Sequence, residues 1–283
     1  MNEEEPKPPT PLPALEYTVE APAGQNPRKL HTVVLLHGFP DNANVWNETQ
    51  AHLIERGYRV VRIHLPGFER ETQSRVCPTF NNVIDRLYRT LQRADALGGT
   101  LVGHDWGAIF AYRLLMKYPA AASRLVTLEI GAGAKSPLLV LFVLLYQSLI
   151  IAAYYLGPHI GSRLLAGFCR LFPRPSYEGA LKVQSHHGWL YRQAWREGAS
   201  DGPWIFYYRN SIAKWTPGPE LPVLFLYGES SLPAFRFHTP AWRKRITEPH
   251  HESRSRGLPG NHWFFLENPA SFQAELDQFL PPV

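Results

Sequence analysis

Two polar residues far apart in the chain, Asp105 and His262, stand in surroundings that suit them for chemistry. Asp105 is the centre of Gly103-His104-Asp105-Trp106-Gly107, which follows an apolar run and leads into a helix-forming one. Glycine on both sides lets the backbone turn tightly, lifting the central side chain above a sheet edge beside the positive N-terminus of the next helix. A serine there would imply acyl transfer. A carboxylate is suited instead to displacement at an sp3 carbon, which leaves an alkyl ester on the protein. Taken alone, the pentapeptide describes an ordinary glycine-bounded turn with a capping aspartate equally well. His262 lies in Gly260-Asn261-His262-Trp263-Phe264, near the C-terminus, and would serve as the base that activates water against such an ester. One histidine among 12 says little by itself, so its weight comes from its loop and its partners. A third segment, His37-Gly38-Phe39-Pro40, follows a fully apolar run, and the backbone N–H groups of Phe39 and Trp106 are candidate donors to an oxyanion.

The elements that must position these residues follow from periodicity. Leu15 to Glu20, His31 to Leu36, Arg59 to His64, Thr100 to Gly103, Arg124 to Ile130 and Val223 to Tyr227 read as strands, with a last strand near Glu252 to Arg256. The unbroken Val33-Val34-Leu35-Leu36 suits a sheet covered on both faces. Helical spacing marks Glu48 to Arg56, Asn81 to Ala96, Ala108 to Tyr118 and Phe272 to Leu280. The alternation predicts an α/β fold, a mostly parallel central sheet with helices on both sides. From Ala134 to Pro219 the pattern turns to helical apolar and aromatic stretches broken by Pro and Gly, with no strong strand candidate. The expected organisation is a Pro/Glu-rich arm over residues 1–13, core at 14–133, an inserted helical cap at 134–219 and core again at 220–283.

With these motifs in order, the sequence resembles the epoxide hydrolase branch of the α/β-hydrolase superfamily over nearly everything after the arm. The matching motifs are His37-Gly38-Phe39-Pro40, the elbow around Asp105, Tyr207-Tyr208-Arg209-Asn210 and Gly260-Asn261-His262-Trp263. The resemblance implies an Asp105 nucleophile, a His262 base, and two cap tyrosines that donate to the epoxide oxygen. Tyr208 is one of these, and Tyr146, followed by Gln147, fits the other better than Tyr154 or Tyr155. Trp189, Trp204, Phe206 and Tyr207 are expected to shape an apolar substrate pocket. The acid that orients the histidine departs from the family. Gly228-Glu229-Ser230-Ser231 puts serine where epoxide hydrolases usually carry aspartate, leaving Glu129, at the end of the strand after Asp105, or Glu229 as the substitute. The expected activity is conversion of epoxides to vicinal diols with no cofactor and no metal. The alternatives are a haloalkane dehalogenase, which would need halide donors where Phe39 replaces the usual Asn, or a non-catalytic ligand-binding homologue.

Composition narrows the partners. Cys77 and Cys169 are too few for a disulfide framework or a zinc site, and no secretory signal pattern opens the chain, so a cytoplasmic setting is expected. The charge of +5 is modest, and its densest piece, Arg243-Lys244-Arg245, has no nucleic-acid motif around it and reads as a solvated face. The expected partner is a small-molecule epoxide, with no nucleic acid, in a monomer or homodimer. Leu138 to Leu156 approaches the length of a membrane span, but a span there would put Asp105 and His262 on opposite sides of a bilayer. A cap helix is the better reading, and peripheral membrane contact is left open without being expected.

Overall fold

A computed structural model describes residues 13–68, 78–132, 137–172, 174–198, 212, 214–231 and 237–283. Seven strands, β1 (Tyr17–Glu20), β2 (Thr32–Leu36), β3 (Arg59–Ile63), β4 (Gly99–His104), β5 (Ala122–Leu128), β6 (Val223–Gly228) and β7 (Arg254–Leu258), form one sheet in the order β1-β3-β2-β4-β5-β6-β7. Only β1 runs antiparallel to its neighbour; the other pairings are parallel. Alternate residues of the central strands feed two separate cores. Val34, Leu36, Leu101, Leu125 and Phe225 pack on one face with α2 (Phe80–Arg93) and α3 (Trp106–Lys117). Val33, Leu35, Val102, Val126 and Leu224 pack on the other with α1 (Asn47–Glu55) and the C-terminal helix Pro269–Phe279. Burial on both faces is why these strands are continuous apolar runs rather than alternating ones.

The chain crosses from one side of β2 to the other between β3 and β4, so the loops that end β2 and β4 flank the point where the strand order reverses. Such a switch point is where open α/β sheets place their ligands. Three helices, α4 (Pro137–Tyr155), α5 (Ser162–Cys169) and α6 (Trp189–Gly198), lie in the chain between β5 and β6. Tyr191 of α6 meets the rings of Phe39 and Trp106 at these strand ends, the position expected of the cap.

Several expectations need adjusting. β5 stops at Leu128, so Glu129 sits beyond the strand in a turn with φ of 67°. The last strand begins two residues later than the periodicity suggests. A helix, α7 (Pro240–Thr247), occupies a stretch that apolar spacing did not mark, with Thr239 capping it by accepting from the Trp242 N–H at 3.2 Å. Arg243-Lys244-Arg245 lies on α7, where Lys244 is exposed and pairs with Glu248 at 3.3 Å, consistent with a solvated face. A single short turn, α8 (Phe264–Glu267), separates His262 from the final helix, α9 (Pro269–Phe279).

The turn at the end of β4 leaves no room for side chains. A Cβ on Gly107 would come within 2.7 Å of the His37 carbonyl oxygen, and one on Gly103 within 2.7 Å of the Gly107 carbonyl oxygen. Because these obstacles are backbone atoms of central elements, they have nowhere to move. Gly107→Ala is therefore expected to lower unfolding stability by about 1–3 kcal/mol, read as a fall in the denaturant midpoint at constant m-value.

Candidate active site

Asp105 occupies the turn between β4 and α3 with φ of 53°, a left-handed conformation that a non-glycine residue adopts at a cost of roughly 1–3 kcal/mol. Close packing holds it there: a Cβ on Gly38 would lie 2.5 Å from Asp105 Oδ1, so only glycine lets the loop after β2 come this near. The reward for that approach is a hydrogen bond in which the Phe39 N–H donates to Asp105 Oδ1 at 2.7 Å. The Trp106 N–H also bonds the carboxylate. Burial pushes the Asp105 carboxyl above its ordinary value, opposed by nearby His262 and by these two backbone donors. Phe39–Pro40 is a cis peptide bond.

The two carboxylate oxygens differ in surroundings. While Oδ1 accepts from the Phe39 N–H, Oδ2 lies 3.7 Å from His262 Nε2. The other imidazole nitrogen, Nδ1, faces Glu129 Oε2 at 3.6 Å. Both separations exceed hydrogen-bond length but align the three groups in a row, as unliganded sites often do. Burial lowers the His262 pKa, but Glu129, Asp105 and Asp41 more than offset it, and the imidazole is held above its usual 6.5. Glu129 is itself buried, and it accepts from the Gly228 N–H and from Ser231 Oγ at 3.3 and 3.4 Å. Ser231, which stands where the family carries its acid, thus turns toward Glu129. Glu229 is exposed.

Two buried histidines complete the frame, each with its proton assigned by its partner. The Leu65 N–H donates to His37 Nε2 at 3.0 Å, so Nδ1 carries the hydrogen; burial depresses this pKa to about 3. His104 Nε2 lies 3.0 Å from the His262 carbonyl oxygen, which only accepts, so Nε2 carries the hydrogen there. Burial also keeps His104 neutral, its pKa well below the usual value. A neutral His104, with its ring centroid 4.6 Å from that of His262, braces the base loop without adding a competing charge.

A third buried acid, Asp41, joins distant segments. It accepts from Arg174 Nη1 and Tyr177 Oη at 2.9 Å each, both from the cap, and from Trp263 Nε1 at 2.8 Å, beside the base. Asn42 and Asn44 donate to the Gly179 carbonyl at 2.9 and 3.1 Å, mooring the same cap segment. Asp41 directly follows His-Gly-Phe-Pro, and its position there was the available clue to it.

Opposite Asp105 stand two phenols. Tyr146, on α4, accepts from Gln147 Nε2 at 3.0 Å and packs edge-on against Tyr191 of α6, with ring centroids 6.2 Å apart. Tyr191 also meets the rings of Phe39 and Trp106 edge-on, both at 5.2 Å, and hydrogen-bonds the Trp106 side chain. Since an indole can only donate, the Tyr191 hydroxyl accepts that bond and keeps its own proton to give. Burial raises both pKa values, and the charge of Asp105 raises them further. Sequence reasoning missed Tyr191, one of 13 tyrosines with no motif around it. Tyr155 is 67% exposed and Tyr154 lies beside it under Arg192, so neither joins this group. Trp189 packs at the seam between cap and core, against Gly67 and Phe80. Trp204, Phe206, Tyr207 and Tyr208 lie outside the described residues, and no metal-binding cluster occurs among the described ones.

A family model for the α/β-hydrolase fold matches residues 31–157. Epoxide hydrolase 3 of Siraitia grosvenorii is 33% identical over 108 residues, covering 37% of this chain and 34% of the relative. A haloalkane dehalogenase of Psychrobacter cryohalolentis is 30% identical over 102 residues, 35% of this chain and 34% of that one. These two matches thus span about a third of each relative's length. Epoxide hydrolase 3 of Mus musculus is 25% identical over 297 aligned positions, covering 93% of this chain and 72% of the relative. Among solved structures, an enol-lactonase from Burkholderia xenovorans superposes with a TM-score of 0.67 at 16% identity, covering 94% of this chain and 95% of its own, a likeness of fold. Sheet order and these matches together give the chain the α/β-hydrolase fold, and epoxide hydrolases are among its sequence relatives.

Proposed function

We propose that this hydrolase opens epoxides to vicinal diols through an ester on Asp105. The observation that carries the reading is the division of labour within one carboxylate: Oδ1 accepts from the Phe39 N–H, while Oδ2 faces the histidine and is free to attack. In the first step Oδ2 forms a bond to an epoxide carbon as the ring C–O bond breaks, and the departing oxygen takes a proton from a phenol. Tyr146 and Tyr191 are the described phenols near Asp105, and Tyr208 is a further candidate. A phenol of raised pKa gives up its proton less readily to solvent and is suited to donate only as alkoxide charge develops. In the second step His262 Nε2 takes a proton from water, the resulting hydroxide attacks Asp105 Cγ, and the N–H groups of Phe39 and Trp106 stabilise the oxyanion. Collapse expels the diol alkoxide, which takes the proton from His262, and the proton left on the Asp105 carboxyl returns to the phenolate, so that both groups regain their starting forms. Glu129 orients the imidazole and stabilises its charged form. The site residues supply all of these roles themselves, without a cofactor.

Halide displacement uses the same nucleophile, and Trp106 is the residue a dehalogenase would offer to a halide. Here its indole donates to Tyr191, and Phe39 brings no side-chain donor, which favours an oxygen leaving group.

His262→Gln mixed with aryl and alkyl epoxides is expected to accumulate a mass adduct equal to the whole epoxide on the peptide containing Asp105. Labelling by haloalkanes alone would establish dehalogenation instead, and no labelling by either would leave a binding protein. Glu129→Gln is expected to slow the ester-hydrolysis step on the order of 10²–10⁴-fold, as seen when a triad carboxylate is neutralised. Since Glu129 is among the groups that raise the His262 pKa, and the base works only when neutral, the pH of half-maximal ester hydrolysis should fall in this variant. An unchanged pH profile would remove Glu129 from the mechanism. Tyr191→Phe should slow adduct formation by on the order of 10²-fold while leaving hydrolysis of a preformed ester unaffected, in single-turnover mixing.

A further inference from the structure

We propose that the solvent face of α4 and α5 seats on an anionic membrane surface. Among the described residues no helix is long and apolar enough to cross a membrane. One side of α4 is in any case committed to the fold: Gln147, Ile150 and Ala153 are buried, and a Cβ on Gly188 would touch Ile150. The opposite side is exposed among the described residues. Its exposed positions, Leu141, Leu145, Ser148, Ala152, Tyr155 and Leu156, recur at three- and four-residue intervals and form a stripe along the helix. A solvent-facing helix stripe in a water-soluble fold is ordinarily polar, yet this one carries a single serine and no charge. Leu145 is 62% exposed.

The adjoining segment repeats the pattern. Ile160, Arg163, Leu164, Gly167, Arg170 and Leu171 are exposed at the same helical spacing, and Ile160 and Leu171 are 63% and 75% exposed. Exposed aliphatic patches of this kind mark contact surfaces. Charge identifies the partner. Between Glu129 and Glu178 the sequence contains no acidic residue, whereas Lys135, Arg163, Arg170 and Arg174 are basic. Arg174 is bound to Asp41, but Arg163 and Arg170 make no ion pair among the described residues. A second copy of this face would bring arginine against arginine with nothing to neutralise either. A surface of anionic lipid headgroups over acyl chains complements both features, taking the leucines and Ile160 below the headgroups while the guanidinium groups stay level with the phosphates. The inference stands on this face alone and is independent of the epoxide reading.

The test is co-sedimentation of the full chain with phosphatidylcholine vesicles prepared with and without phosphatidylserine. Binding should require phosphatidylserine and weaken as salt is added. Leu145→Glu with Ile160→Glu should abolish it, while Arg163→Gln and Arg170→Gln should each weaken it about fivefold. Leu97→Glu, which alters an exposed leucine elsewhere, should bind as the parent does, and circular dichroism should report the same fold for all variants. Three results would overturn the proposal: no sedimentation with anionic vesicles, equal binding with and without phosphatidylserine, or undiminished binding by the Leu145/Ile160 variant. Light scattering that finds a dimer in the parent and a monomer in that variant, without vesicle binding, would assign the face to self-association.

Discussion

The loop after β2 and the turn after β4 touch backbone to backbone, and the site depends on that contact. Gly38 and Gly107 are the two positions where any side chain would push the loops apart. Only at this separation does the Phe39 N–H reach Asp105, and only with that bond in place are the two carboxylate oxygens inequivalent. The strained φ of Asp105 belongs to the same constraint, since the turn must present its side chain to the donors of its neighbour. The sheet contributes by making β2 and β4 adjacent and parallel, so that both loops leave it on one edge.

Electrostatics act within this frame. Asp105, His262 and Glu129 form a buried row in which a single imidazole lies between two carboxylates, and Asp41 adds a third acid nearby. Such a concentration of negative charge would be costly if its members were unpaired. Here each acid has donors of its own: Phe39 and Trp106 N–H for Asp105, Gly228 N–H and Ser231 for Glu129, and Arg174, Tyr177 and Trp263 for Asp41. His37 and His104 stay neutral by burial, whereas the imidazole in the row is held above its ordinary pKa by its carboxylates.

The parts of this design that are written locally were legible in the sequence. The elbow, the His-Gly-Phe-Pro loop and the base loop are short motifs whose glycines and flanking apolar runs announce their geometry, and the alternation of strands and helices announces the sheet. Glu129 was readable as a candidate because an acid at the end of an apolar strand demands a partner. Whether it or Glu229 faced the histidine depended on where β5 ended, which periodicity places only to within a residue or two. Tyr191 left no signal, because its place over Trp106 is set by how α6 packs on the core and by nothing in its own neighbourhood. Helix α7 escaped because few of its residues are apolar, although Thr239-Pro240 is a good helix start.

Asp41 has a mechanical consequence. One desolvated carboxylate binds the cap at Arg174 and Tyr177 and the His262 loop at Trp263, while its own backbone continues the Phe39 loop. Any swing of the cap that kept these bonds would have to pivot there, opening widest on the side away from the rivet. A ligand would then come and go past the far edge of the lid, and the pace of its traffic would answer to residues that never meet it.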